Sequence, residues 1–210
     1  AYRSLEGLRT PVLAVSGRKD TGKTALLEML VGALDRVGIR SAVIKHDGHE
    51  FEADVPGTDS RRIKEAGAYG TVVYSGTKFS MTKEQPSMKA EDFFGFFPEA
   101  DIIFLEGQKD SDYPKLEVLR REVSDVPVCR PETVLAYIWS GQIARSGENT
   151  RSGENTWSGE IAWSGEDCLG RGNRRNGKCP VLTAAQKDRI LEIVIGHMDR
   201  YCRGDGGDEL

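Results

Sequence analysis

Gly17-Arg18-Lys19-Asp20-Thr21-Gly22-Lys23-Thr24 satisfies the pattern G-x-x-x-x-G-K-[ST], and Ala25 follows it. Each residue type in that pattern has a task on a phosphate chain. Glycines let the backbone curl so that successive N–H groups converge on phosphate oxygens, and a helix starting near Gly22 adds its positive end. Lys23 bridges the terminal phosphates, and Thr24 offers a hydroxyl to Mg2+. The spacing predicts a nucleoside-triphosphate site over Gly17 to Ala25, with Arg18 and Lys19 as extra positive charges that either touch phosphate or stay solvated.

Such a loop needs a carboxylate on a neighbouring strand to hold or orient the magnesium shell. Glu106 follows the apolar run Ile102-Ile103-Phe104-Leu105 and precedes Gly107, while Asp47 lies in Lys45-His46-Asp47-Gly48-His49. Both fall at the carboxyl ends of expected strands, where open α/β sheets place ligands. Lys23, Glu106 and Asp47 are therefore the candidate catalytic residues, and Thr24, Glu106 and Asp47 the candidate magnesium ligands. Asp101, at the start of the same apolar run, is expected to act as a turn or cap. His46 and His49 are read as substrate-contacting or surface residues, because no cysteine pair supports a metal site.

The elements that must position these groups follow from hydrophobic pattern. Val12 to Ser16 reads as a strand, and Leu26, Leu27, Leu30, Val31, Leu34 and Val37 recur at helical spacing before Gly38. Ala42 to Lys45 is the next strand, which completes the strand–helix–strand unit of a parallel sheet. Thr58 to Ala68 is a helix ending near Gly67 or Gly70, and Thr71 to Tyr74 and Lys78 to Thr82 are β-like. Ile102 to Leu105, Leu116 to Arg120 and Val134 to Trp139 are further strands. Thr183 with Gln186 resembles a capping box ahead of a last helix carrying Ile190, Leu191, Val194, Ile195 and Met198. The fold class is α/β: a P-loop NTPase-like, doubly wound, mostly parallel sheet with flanking helices in a single domain of 210 residues.

Composition narrows the partners. Lys and Arg total 29 against 33 Asp and Glu, a net charge of -4, so no surface for nucleic acid is expected. No run approaches the roughly 18 apolar residues of a membrane-spanning helix, and the first residues lack a basic and apolar leader pattern, so the expectation is a cytoplasmic protein with no membrane partner. Cys129, Cys168, Cys179 and Cys202 contain no C-x-x-C pair and read as reduced thiols.

One segment breaks the pattern. Ser-Gly recurs at 140, 146, 152, 158 and 164 in the units SGQIAR, SGENTR, SGENTW, SGEIAW and SGEDCL. A hexapeptide β-helix needs an aliphatic residue at one fixed place per turn, but Asn149 and Asn155 stand where Ile143 and Ile161 do. Residues 140 to 178 are therefore read as an exposed, repeat-containing insertion.

Three stretches carry a family resemblance: GRKDTGKTALL, AVIKHDGHEFEADVPGTDSRRIKEAGA and DIIFLEGQKDSDYPKLEVLR. Its most specific residues are Lys45-His46-Asp47, Gly57-Thr58-Asp59-Ser60, Glu106-Gly107, Tyr113-Pro114-Lys115 and Glu117. Over about residues 10 to 139 the chain resembles the MobB family, accessory proteins of molybdopterin guanine dinucleotide biosynthesis. The resemblance implies a homodimer that binds GTP with Mg2+, hydrolyses it weakly, and works beside the guanylyltransferase that joins GMP to molybdopterin. GTP rests on the resemblance, since no N-K-x-D guanine-reading motif is present. It also leaves Ser60, Arg61 and Arg62 as either contacts for a pterin phosphate or the wet face of a helix. Two other chemistries use the same loop: a small-molecule kinase, with Asp47 as base and Arg61-Arg62 in a lid, and a metal-insertion GTPase that uses His46 and His49.

Overall fold

The computed structural model describes residues 10–47, 55–141 and 179–203. In chain order these form β1 (Val12–Ser16), α1 (Lys23–Asp35), β2 (Ser41–Lys45), α2 (Asp59–Glu65), β3 (Gly70–Tyr74), β4 (Phe79–Lys83), β5 (Ile102–Glu106), β6 (Lys115–Leu119), β7 (Val134–Trp139), β8 (Val181–Thr183) and α3 (Lys187–Cys202). They divide into two compact units, one comprising Ala1–His46 and Phe94–Leu210, the other Asp47–Phe93.

The first unit is an α/β fold around a six-stranded sheet of order β2-β5-β1-β6-β7-β8. Every strand pairing in it is parallel. From β1 the chain winds to β2 on one side and later to β6, β7 and β8 on the other. β1 and β5 lie inside the sheet and are buried at every position, which is why both read as unbroken apolar runs. Leu13, Val15, Phe104, Leu116, Val118 and Ile138 form one face, against which Leu26, Leu27, Leu30 and Leu34 of α1 and Ile190 and Val194 of α3 are packed. Leu30 is fully buried, so its truncation to alanine should cost about 2–5 kcal/mol.

Helix ends follow local chemistry. Gly38, at φ +77°, closes α1 with its N–H on Asp35 O at 2.9 Å, while the Ile39 N–H reaches Leu34 O at 3.0 Å. Val37 falls beyond the helix and is exposed, so it does not belong to the stripe expected from its spacing. Asp101 acts as expected at the start of β5: its Oδ2 accepts the Arg40 N–H at 2.7 Å. At the other end of the chain, Gln186 Oε1 accepts the Thr183 N–H at 2.8 Å, but Thr183 ends β8 and Gln186 is itself the residue before α3, so the pair closes the turn ahead of the helix and is not the capping box expected from the sequence. On α3 the buried positions are Ile190, Ile193, Val194 and His197, whereas Ile195 is 41% exposed. The sequence stripe misplaces Ile195 because His197, not an aliphatic residue, completes the inward face by giving its ring N–H to Val12 O at 3.0 Å. β8 has no counterpart among the expected strands, since three residues carry too little pattern to see.

The second unit contains α2 and the β3–β4 hairpin, which is a sheet of its own rather than part of the main one. Its strands are antiparallel, with Gly70 opposite Lys83 and Tyr74 opposite Phe79. Val72, Val73, Tyr74, Phe79 and Met81 are all exposed.

Candidate functional site

The loop between β1 and α1 takes its shape from three left-handed residues: Gly17 at φ +138°, Asp20 at +63° and Gly22 at +95°. Gly17 has no room for a side chain, because a Cβ there would lie 2.4 Å from Val118 O of β6. At Gly22 a Cβ would meet Ser140 Oγ at 3.1 Å. Thr21 is buried and gives its hydroxyl proton to Arg18 O at 2.9 Å, which closes the loop from inside. Ser140, just past β7, donates to Thr21 O, and Arg120, just past β6, reaches Asp20 O at 3.5 Å. The loop is thus held by the carboxyl ends of β6 and β7. Arg18, Lys19, Asp20, Thr24 and Ala25 are exposed around it.

Lys23 and Thr24 open α1. Lys23 Nζ donates to Arg18 O at 2.6 Å, and its pKa lies below the usual lysine value because burial penalises the ammonium, against the attraction of Glu106 and Asp20 and with the repulsion of Lys45. Glu106 ends β5 and is nearly buried; its Oε1 accepts the Thr24 hydroxyl at 3.0 Å and lies 3.5 Å from Lys45 Nζ. A hydroxyl and a carboxylate oxygen, both hard donors, therefore converge beside the loop, which is the donor set that suits Mg2+. The structure brings Lys23, Thr24 and Glu106 together, while Asp47 is the first residue of the second unit. His49 lies outside the described residues, as do the repeats from 142 onward and Cys168. Cys129, Cys179 and Cys202 carry no disulfide. In α2, Arg61 pairs with Glu65 at 2.7 Å and Arg62 with Asp59 at 3.5 Å.

Two charged residues beneath the site were read from the sequence only as parts of a motif. Lys115 is fully buried in β6, and its ammonium donates to Gln108 O, Lys109 O and Ser111 O at 3.2, 3.3 and 2.7 Å, which ties down the loop that follows Glu106. Glu117, equally buried, accepts the Val128 and Cys129 N–H groups at 2.6 and 3.2 Å. Burial holds the Lys115 pKa below and the Glu117 pKa above their usual values, and burial beside Glu117 pushes the Cys129 thiol up to about 12. The alternation K-L-E-V-L looks like a solvated face, so sequence gives no signal that both charges are enclosed. Ser140 is the other residue missed, hidden as the first residue of a low-complexity run.

Residues 12–140 match the family model described as Molybdopterin guanine dinucleotide synthesis protein B. The chain is 35% identical over 115 residues to the molybdopterin-guanine dinucleotide biosynthesis adapter protein of Escherichia coli (strain K12), a match covering 52% of this chain and 66% of that one. It is 32% identical over 117 residues to the protein of the same name from Haemophilus influenzae, covering 54% and 66%. The chain thus spans slightly under two thirds of the length of these curated relatives. Among solved structures, the crystal structure of Bacillus subtilis MobB superposes with a TM-score of 0.60 at 22% identity, over 89% of this chain and 97% of that one. That likeness shows the fold.

Proposed function

The chain belongs to the MobB family, whose members take part in molybdopterin guanine dinucleotide biosynthesis, and we propose that it binds GTP with Mg2+ at the Gly17–Ala25 loop and hydrolyses it slowly. The observation that carries this reading is the convergence of Lys23, Thr24 and Glu106 at the end of β5 beside a loop whose backbone only glycine permits at Gly17. The loop N–H groups and the start of α1 receive phosphate oxygens, and Lys23 turns from Arg18 O to the β and γ phosphates. Thr24 and Glu106 are the residues that would hold the magnesium ion. Bound there, Mg2+ supplies neutralisation of the charge that develops on the phosphates during hydrolysis. Lys23 stabilises the same charge from the other side.

The protein acts in the cytoplasm as an adapter beside a molybdopterin guanylyltransferase-like partner, with slow hydrolysis timing the association. Its relatives from Escherichia coli and Haemophilus influenzae are named adapter proteins, which supports a protein partner. It works as a homodimer, and the exposed apolar hairpin Val72, Val73, Tyr74, Phe79 and Met81 supports self-association.

Calorimetry with GTP and ATP side by side, on the wild type and on Lys23→Ala, tests the reading. GTP should bind more tightly than ATP, and Lys23→Ala should lose triphosphate binding with its fold intact, because Lys23 is no part of the apolar core. An unchanged GTP affinity in Lys23→Ala removes the nucleotide site, and tighter ATP binding points to a kinase.

A further inference from the structure

Lys45 ends β2 directly opposite Glu106 in the parallel register. Its side chain is 57% exposed and, among the described residues, pairs with Glu106 Oε1 at 3.5 Å, the same oxygen that accepts the Thr24 hydroxyl. Lys45 is the solvent-facing member of this pair, while the Glu106 side chain is only 10% exposed and keeps the Thr24 hydroxyl on the same oxygen. The ammonium is therefore free to swing on its flexible stem towards a more strongly charged neighbour. That neighbour has a definite direction. The loop leaves β1; β6 and β7 grip it on one side through Arg120 and Ser140, while β5 and then β2 lie on the other. In phosphate-loop sites the carboxylate that would serve magnesium stands beside the terminal end of the phosphate chain, which here is the Glu106 side of the loop. Lys45 stands one strand beyond that carboxylate, on the same face of the sheet as α1 and Lys23.

We propose that Lys45 is a specificity-determining residue that reads the γ-phosphate: its ammonium leaves Glu106 for a terminal phosphate oxygen when a nucleoside triphosphate binds, so that the site separates triphosphate from diphosphate. The inference rests on the reading of the loop as a GTP–Mg2+ site. Two cations then flank the terminal phosphate, Lys23 from the helix and Lys45 from the edge strand. A diphosphate meets only Lys23, and Lys45 stays on Glu106.

Titration of the full chain with GTP and with GDP, both in Mg2+, tests this on the wild type, Lys45→Met and Lys45→Arg. Lys45→Met should lose about ten- to a hundredfold in GTP affinity, the range for a hydrogen bond between charged groups. Its GDP affinity should stay within about twofold, which also shows that the variant is folded. Lys45→Arg should retain most of the preference. Equal losses for both nucleotides, no loss for either, or a wild type that does not distinguish them overturns the role of Lys45. A wild type that binds neither nucleotide removes the GTP site itself, and the inference with it, before any variant is compared.

Discussion

Thr24 of α1 and Glu106 of β5 are joined by a hydroxyl–carboxylate hydrogen bond of 3.0 Å across 82 positions of sequence. The parallel sheet makes this contact. β5 lies directly beside β1 with Val15 opposite Glu106, so the last side chain of β5 meets the first turn of the helix that leaves β1. Neither residue is required by the core at that point, and both supply oxygen.

Glu106→Gln should separate binding from turnover. The amide oxygen can still accept from Thr24, so the local geometry persists, but the charge that attracts Mg2+ is gone. Nucleotide affinity should change little, whereas GTP turnover should fall at least tenfold and need more magnesium. Magnesium titrations of turnover that overlay for the wild type and the variant would show that Glu106 does not serve the metal.

Gly17→Ala should be among the most damaging single changes in the loop. The new Cβ would approach Val118 O to 2.4 Å, and φ of +138° is a region that alanine rarely enters. Backbone strain of this kind costs about 1–3 kcal/mol, and the clash with β6 adds to it because backbone cannot rotate aside. Denaturant melts should show the loss of stability, and phosphate binding should fall with it. A variant as stable as the wild type would mean that the loop has another conformation of equal energy.

Much of this arrangement is legible in sequence because it is local. The loop is a motif, β5 is an uninterrupted apolar run, and Gly38 marks the turn after α1. What escapes depends on distant chain. Lys115 looks like a solvated strand residue until the backbone at Gln108, Lys109 and Ser111 folds over it. Lys45 and Ser140 acquire meaning only when the order β2-β5-β1-β6-β7 puts them at opposite sides of one loop. The hairpin strands β3 and β4 show β-propensity, but propensity does not say which sheet a strand joins.

His197 makes stability depend on pH. Burial, opposed by the bond to Val12 O and aided by Arg200, holds its pKa below the ordinary value of 6.5. The unfolded chain then binds the proton more readily than the folded one. The contribution of neutral His197 is complete above pH 6.5 and is lost as pH falls below it towards the folded-state pKa. His197→Gln places an amide N–H in reach of Val12 O without a titrating ring. Between pH 7 and pH 5 the melting temperature of the wild type should therefore fall more than that of the variant. Parallel curves would assign the acid sensitivity to other groups.

The repeats can be tested by removal. β7 and β8 are parallel neighbours, so the end of β7 and the start of β8 lie about one β7 length apart, six residues or about 20 Å. A Gly-Ser linker of about twelve residues spans that distance. It should begin after Gly141, because Ser140 donates to Thr21 O and a Cβ at Gly141 would lie 2.8 Å from Glu122 Oε2. The units SGENTR and SGENTW offer almost no aliphatic surface to offset roughly 1–2 kcal/mol per residue of backbone ordering. Closing a long loop costs little, about 0.6 kcal/mol for each doubling of its length. Replacing 142–178 by the linker should therefore leave the melting temperature and GTP affinity nearly unchanged, and trypsin should cut the intact chain first at Arg145 and Arg151. Trp157 and Trp163 supply the opposing force, since two indoles six positions apart could anchor the segment. Resistance at both arginines, together with a truncated chain that melts several degrees lower, would show that the indoles prevail and that the repeats are part of the folded structure.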